Sequence, residues 1–291
     1  MTKIKKAIFP VAGFGTRFLP ATKAQPKEML PIVDKPTIQY LVEGAVAAGI
    51  EEIIFVTGRG KRAIEDHFDY SFELEKTLVE RNKLDLLKKV KEIEGLAKFS
   101  YVRQPIPLGD GHAVNCAAHL IGEDEAVLVW FGDTLYADCA DAARQVIKTY
   151  EKYGETVIGL SEVERESLDK FGVIDGLDLG EGIYEIKKFV EKPPIAEAPS
   201  NLVQVGLNVI SPAIMKILKT MKSGKSGEIR LADAYDELLN QGGALYGKKI
   251  AGEWLDTGTK FNFIKATLKF GLKDEEIKNN LQKLINELGN K

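Results

Sequence analysis

Apolar and polar positions along the chain fall into two textures. Up to about residue 160, short unbroken apolar runs alternate with longer stretches of helical spacing. Ala7-Ile8-Phe9, Ile53–Thr57, Phe99–Arg103, Ala126–Phe131 and Thr156–Leu160 read as buried strands. Between them, residues 36–49 run from Pro36 to Gly49 with Ile38, Leu41, Val42, Ala45 and Val46 on one helical face. Residues 61–94 are rich in Lys, Glu and Leu and read as helical with a solvated charged face. Two further helices are expected over Ala113–Leu120 and about 139–152. Strand, helix and strand in this succession imply a right-handed parallel crossover.

Beyond residue 160 short strands with glycine turns replace the alternation: Gly172–Ile174, Gly182–Val190 and Leu202–Ile210. Pro193, Pro194 and Pro199 mark an exposed loop, and helices follow near 212–221 and 230–240. Trp254–Gly258 ends a strand, and residues 260–288 are mostly helical. Leu281, Leu284, Ile285 and Leu288 keep helical spacing there, a face fit to cap the domain or meet a partner subunit. The pattern predicts an α/β protein with a doubly wound, mixed but mostly parallel sheet, a smaller second lobe and C-terminal helices. One domain is expected, in three parts: 1–160, 161–258 and 259–291.

Composition narrows the classes. Of 291 residues 44% are hydrophobic, enough for a substantial core. The net charge of −3, from 40 basic and 43 acidic residues without a basic block, argues against nucleic acid as a partner. Cys116 and Cys139 stand in no metal-type spacing and point to a reducing compartment. No apolar run nears 18 residues and no leader pattern opens the chain, so a soluble cytoplasmic protein without membrane contact is expected. His67, His112 and His119 form no metal motif.

The chemistry concentrates in Pro10-Val-Ala-Gly-Phe-Gly-Thr-Arg-Phe-Leu-Pro-Ala-Thr-Lys-Ala-Gln-Pro-Lys-Glu-Met-Leu-Pro31, which follows the first strand. Gly13 and Gly15 allow a tight turn and close approach of backbone to a ligand. Arg17 and Lys27 follow in a segment stiffened by Pro20, Pro26 and Pro31. A glycine turn carrying fixed cations after a first strand suits a polyphosphate. The Gly-Lys-Ser/Thr of a P-loop is absent, and Phe18 stands where a dinucleotide fingerprint needs its third glycine. Asp133 closes the most apolar strand, at the carboxyl end where α/β sheets gather ligands. It either caps the next turn or offers a hard oxygen to a cation, and Asp256 is likewise a ligand or a turn residue.

The whole string resembles the signature of the sugar-phosphate nucleotidyltransferases. Its Lys27-Glu28-Met29-Leu30-Pro31 ending is similar to that of the bacterial UTP–glucose-1-phosphate uridylyltransferases. The resemblance runs along essentially the whole chain. It implies a Rossmann-like nucleotidyltransferase fold whose smaller lobe binds the sugar, UTP and glucose 1-phosphate as substrates, Mg²⁺ as cofactor, and a homo-oligomer, dimer or tetramer. It implies a nucleotide site at Ala12, Gly13, Gly15, Thr16, Arg17, Lys27, Gln104 and Gly109, the last in Leu108–Ala113. Gln104 can show a pyrimidine both an acceptor and donors. Val190-Glu191-Lys192-Pro193 resembles the sugar-phosphate element, with Glu191 accepting from sugar hydroxyls and Lys192 holding the phosphate. Gly172 and Gly206 resemble positions where backbone closes on the sugar. Arg17, Lys27, Asp133 and Lys192 are the implied catalytic set, and Asp133 and Asp256 the metal ligands. His112 is expected to be structural, at a helix start. Gly227–Ala234 also resembles a family string, although its acids suit a helix cap equally.

Four places depart from the uridylyltransferase pattern: Gly132-Asp133-Thr134, Phe171, Leu207-Asn208, and Trp254–Gly258, which looks more like the thymidylyltransferase branch. Rival expectations are therefore a glucose-1-phosphate thymidylyltransferase and a non-catalytic nucleotide-sugar sensor. Nucleotidyl transfer needs no side-chain nucleophile. It needs cations, backbone N–H donors and carboxylates, set for in-line attack.

Overall fold

The computed structural model of the chain describes residues 3–224 and 227–289. Strand β1 (Lys6–Pro10) is followed by a hairpin of β2 (Pro31–Ile32) and β3 (Lys35–Pro36), then helix α1 (Thr37–Ala47) and β4 (Glu52–Thr57). β1 and β4 pair in parallel with Ala7 opposite Ile53, the crossover that the apolar pattern predicts. The Lys/Glu/Leu-rich stretch is three helices, α2 (Arg62–Phe68), α3 (Phe72–Glu80) and α4 (Leu84–Glu94). Asn82, with φ of 51°, sits in the turn between α3 and α4. Next come β5 (Lys98–Arg103), α5 (Asp110–Cys116), β6 (Val127–Trp130), β7 (Thr134–Tyr136), α6 (Cys139–Tyr153) and β8 (Val157–Glu162). The remainder comprises β9 (Gly172–Asp178), β10 (Ile183–Glu191), β11 (Leu202–Ile210), α7 (Pro212–Thr220), α8 (Leu231–Asn240), β12 (Tyr246–Lys249), β13 (Trp254–Asp256), α9 (Lys260–Gly271) and α10 (Lys278–Gly289).

Nine strands form one sheet in the order β5-β4-β1-β6-β11-β8-β12-β10-β9. Successive residues of β1 and β4 feed opposite layers. Phe9 and Phe55 join a core with α1 and α6, whereas Ile8 and Ile54 join one with α5, α7 and α8. Helices thus cover both faces of this part of the sheet.

The expectation of a mostly parallel sheet is corrected. Parallel pairing holds from β5 through β6 and again between β12 and β8, but β11 runs antiparallel to β6, β8 and β9, and β10 runs antiparallel to β12 and β9. Register shifts between Ile186 and Lys188 and between Gln204 and Asn208 bend the far half of the sheet. The bend brings Val203 of β11 opposite Val173 of β9, so β11, β8, β12, β10 and β9 close a ring. At the C-terminus Leu281 packs on Gly271 of α9, while Leu284 and Leu288 remain exposed. No helix among the described residues is long and apolar enough to cross a membrane.

Candidate active site

The loop leaving β1 takes the path its glycines permit. Gly15 has φ of 64°, and Thr22 Oγ1 donates to its carbonyl at 2.8 Å. Pro26 then opens a single 3-10 turn, Lys27–Met29. Glu28 in that turn is 1% exposed and meets Lys61, 5% exposed, at 2.9 Å. Lys61 is the residue just before α2. Glu28 also presses on the end of β6, for a Cβ on Gly132 would lie 2.7 Å from its Cγ. One buried ion pair therefore fixes the turn, the start of α2 and the strand end that leads to Asp133. Such a pair is costly to desolvate, and costlier still to break by removing one partner.

Asp133 and Asp256 come from different elements. β13 pairs with β7, placing Asp256 opposite Thr134, and the amide and hydroxyl of Thr257 donate to the Asp133 carbonyl at 2.9 and 3.0 Å. Lys27 Nζ donates to Asp133 Oδ2 at 2.6 Å. Burial works against both charges, but the partners outweigh it. Asp133 and Glu28 hold the Lys27 ammonium above its ordinary pKa, and Lys27 chiefly, with Arg17, holds the Asp133 carboxyl below its own. Asp256 behaves oppositely. Burial pushes its pKa up, helped by the charge of Asp133, although it accepts from the Gly258 amide at 2.8 Å. Asp256 Oδ1, Asp133 Oδ2 and an Arg17 guanidinium nitrogen all converge on Gly258, within 2.9, 3.2 and 3.5 Å of where a Cβ would stand.

Two cavities meet at Asp133. The first, about 300 Å³, is walled by Ala12, Gly13, Lys27, Gln104 and Gly109, among others. Gln104 is buried, and its amide nitrogen donates to the Gly109 carbonyl and meets His112 Nδ1, both at 3.0 Å. Its amide oxygen accepts no hydrogen bond among the described residues. Gly109, with φ of 102°, lets α5 start against the Ile229 carbonyl, which a Cβ would approach to 2.5 Å. The second cavity, about 420 Å³, takes Arg17, Gly172, Glu191, Lys192, Gly206 and Asp256 into its wall. Glu191 lies opposite Gly172 in the β9–β10 ladder, and Lys192, with φ of 48°, sits just beyond it. Asp110, Phe131 and Asp133 line both cavities. A Cβ on Gly206 would stand 2.5 Å from the Phe131 ring, so that glycine makes room for the ring between them.

Of the residues expected at a nucleotide site, Gly15 and Thr16 line neither cavity, and Arg17 faces the second. Glu28, Lys61, Phe131 and Asp110 escaped the sequence reading. Only Glu28 carried a signal, as an acid wedged in a Pro-rich apolar string. Asp133 and Asp256 fit a hard divalent cation that takes few protein oxygens and fills its shell with water and phosphate. Their mutual repulsion is what such an ion relieves, and no third His, Cys, Asp or Glu joins them among the described residues.

The profile of the nucleotidyl transferase family matches residues 6–271. The chain belongs to the nucleotidyl transferase family. Within the family, the UTP–glucose-1-phosphate uridylyltransferase of Bacillus subtilis (strain 168) is 49% identical over 291 residues, spanning 100% of this chain and 99% of its own. Among solved family structures, a UTP-bound UGPase from Acinetobacter baumannii matches with a TM-score of 0.90 at 39% identity, over 98% of this chain and 99% of that one. A UDP-glucose pyrophosphorylase complexed with UDP-glucose matches with a TM-score of 0.83 at 41% identity, over 93% and 100% of the two chains. The departures at Phe171, Leu207 and Trp254 therefore lie in a fold that follows these family members almost throughout.

Proposed function

We propose that this chain transfers the uridylyl group of UTP to α-D-glucose 1-phosphate, giving UDP-glucose and pyrophosphate. The observation that carries the reading is the shared wall at Asp133. One cavity offers backbone and Gln104 to a nucleotide, the other offers Glu191 and Lys192 to a sugar phosphate, and charged groups stand where they join. A sugar-phosphate oxygen attacks the α-phosphorus, the new P–O bond forms in line, and the bond to the β-phosphate bridge breaks. The nucleophile arrives ionised, so no base is needed.

Lys27 and Arg17 neutralise phosphate charge, and Lys192 holds the sugar phosphate. Glu191 accepts from sugar hydroxyls, and Gln104 reads the base edge. Residues 1–160 serve the nucleotide and residues 161–258 mainly the sugar phosphate. Asp133 and Asp256 would hold Mg²⁺, which supplies Lewis-acid charge to the phosphate oxygens. The exposed Leu284 and Leu288 of α10 are a contact face for the homo-oligomer that the family resemblance implies.

Pyrophosphate release with Mg²⁺, crossing UTP and dTTP against glucose 1-phosphate and galactose 1-phosphate, tests the reading. The highest kcat/KM is expected for UTP with glucose 1-phosphate. UTP binding without release from any pair would overturn it in favour of a sensor.

A further inference from the structure

Asp110 has no role in the chemistry described above, yet it stands at the junction of the two cavities and lines both. It is the first residue of α5, and one of its oxygens is fully occupied. Oδ1 accepts from the Gly111 amide at 2.7 Å and from the Leu231 amide at 2.9 Å. Leu231 opens α8, whose preceding residue, Arg230, supplies no side-chain cap. Asp110 thus caps a helix 121 residues away in sequence. Three backbone contacts reinforce the join. Ile229 N donates to Leu108 O, His112 N donates to Ile229 O, and a Cβ on Gly111 would lie 2.8 Å from the Arg230 carbonyl carbon. The carboxylate therefore cannot swing away.

Oδ2 has no hydrogen-bond partner among the described residues. A carboxylate is acceptor-only when ionised, so the free oxygen suits a donor. Glu191 also lines the second cavity, close enough for its charge to add to burial in raising the Asp110 pKa. Two carboxylates facing one space repel phosphate and receive hydroxyls. Of the cations in the same wall, Lys192 lies 3.5 Å from the Glu191 carboxylate, and Arg17 stands by Gly258 with Asp133 and Asp256. Glu191 borders the second cavity and not the first, whose own further acid is Glu228, so Asp110 and Glu191 share a space only on the sugar side.

We propose that Asp110 is a specificity-determining residue, its Oδ2 accepting a hydrogen bond from a hydroxyl of the hexose held in the second cavity. The assignment rests on the uridylyl-transfer reading and adds to it a second acidic group, besides Glu191, that reads the sugar. Such a wall favours a neutral polyol ring and penalises a sugar lacking the hydroxyl that Asp110 receives.

The test measures kcat/KM for glucose 1-phosphate and its 2-, 3-, 4- and 6-deoxy analogues with the unaltered enzyme, D110A and D110N. It also compares UTP with its 2′- and 3′-deoxy forms. D110N keeps an oxygen for the Gly111 and Leu231 amides, so its thermal midpoint reports whether the helix cap survives. One deoxy sugar is expected to lose roughly tenfold to a hundredfold with the unaltered enzyme. In D110A that penalty collapses while the KM for UTP stays within about twofold, a pattern that loss of the cap alone would not produce. Retention of every deoxy-sugar penalty in D110A overturns the assignment, as does collapse of a ribose penalty instead. If the unaltered enzyme turns over no hexose 1-phosphate, the transfer reading falls and the Asp110 assignment falls with it.

Discussion

Lys27 Nζ and Asp133 Oδ2 lie 2.6 Å apart, joining the loop after β1 to the end of β6 at the meeting point of the two cavities. Each keeps the other charged against burial. The cation we assign to phosphate and the carboxylate we assign to metal thus hold one another charged.

Asp133→Asn removes the partner of Lys27 and half of the cation site. We predict a loss of at least about a hundredfold in kcat, the scale of removing one preorganised electrostatic group, that raised Mg²⁺ only partly restores. Steady-state rates over a magnesium titration check this, and an unchanged metal dependence would remove Asp133 from the site.

The two aspartates make opposite contributions to stability against pH. The folded pKa of Asp133 is depressed, so its contribution is present above the ordinary value of about 3.9 and is lost as pH falls through the folded value. The folded pKa of Asp256 is raised, so protonation favours the fold and that contribution is lost as pH rises through its folded value. Carboxyl ¹³C titrations should show Asp256 titrating above Asp133, and Asp133→Asn should bring Asp256 down. The same order in reverse would contradict the electrostatic picture.

The Glu28–Lys61 pair gives a stability prediction. Either Glu28→Gln or Lys61→Met should cost about 3–5 kcal/mol in urea unfolding, because each strands a buried charge. The double replacement should cost clearly less than the sum, since neither charge is then left alone. Additive losses would mean that the two side chains act independently.

Gly206→Ala should damage both catalysis and folding. The new methyl stands 2.5 Å from Cδ2 and 2.6 Å from Cβ and Cγ of Phe131, so turning the ring cannot clear it and the backbone between Phe131 and β11 has to shift. An expected fall of roughly tenfold or more in kcat/KM for both substrates, with a clearly lowered thermal midpoint, is read from kinetics and a melt. Loss confined to one substrate would show that the ring serves only that cavity.

Lys192→Ala should raise the KM for glucose 1-phosphate by roughly tenfold to a hundredfold and leave that for UTP nearly unchanged, since one charged hydrogen bond to one substrate is lost. Equal effects on both substrates would count against its role.

Much of this site was legible in the chain. The buried runs of β1, β4 and β6 mark their own strands, and the string from Pro10 to Pro31 names its cations. What stayed hidden has physical reasons. β11 is buried on both faces, so its near-continuous apolar run carries no alternation to show that it pairs antiparallel. β12 is only Tyr246-Gly-Lys-Lys, too short and too charged to signal a strand. The 33-residue separation of Glu28 and Lys61, and the ring that explains Gly206, exist only once distant elements meet. Gly172 is explained in the same way by the Phe189 ring.

The seating of β11 between β6 and β8 also governs how the molecule is born. When the first 160 residues have left the ribosome, β6 has β1 on one edge and nothing on the other, and β8 has no partner until β11 and β12 follow. The nucleotide half cannot close during its own synthesis, so a fragment ending at residue 160 is expected to aggregate, and the nascent chain to depend on chaperones until the later strand arrives.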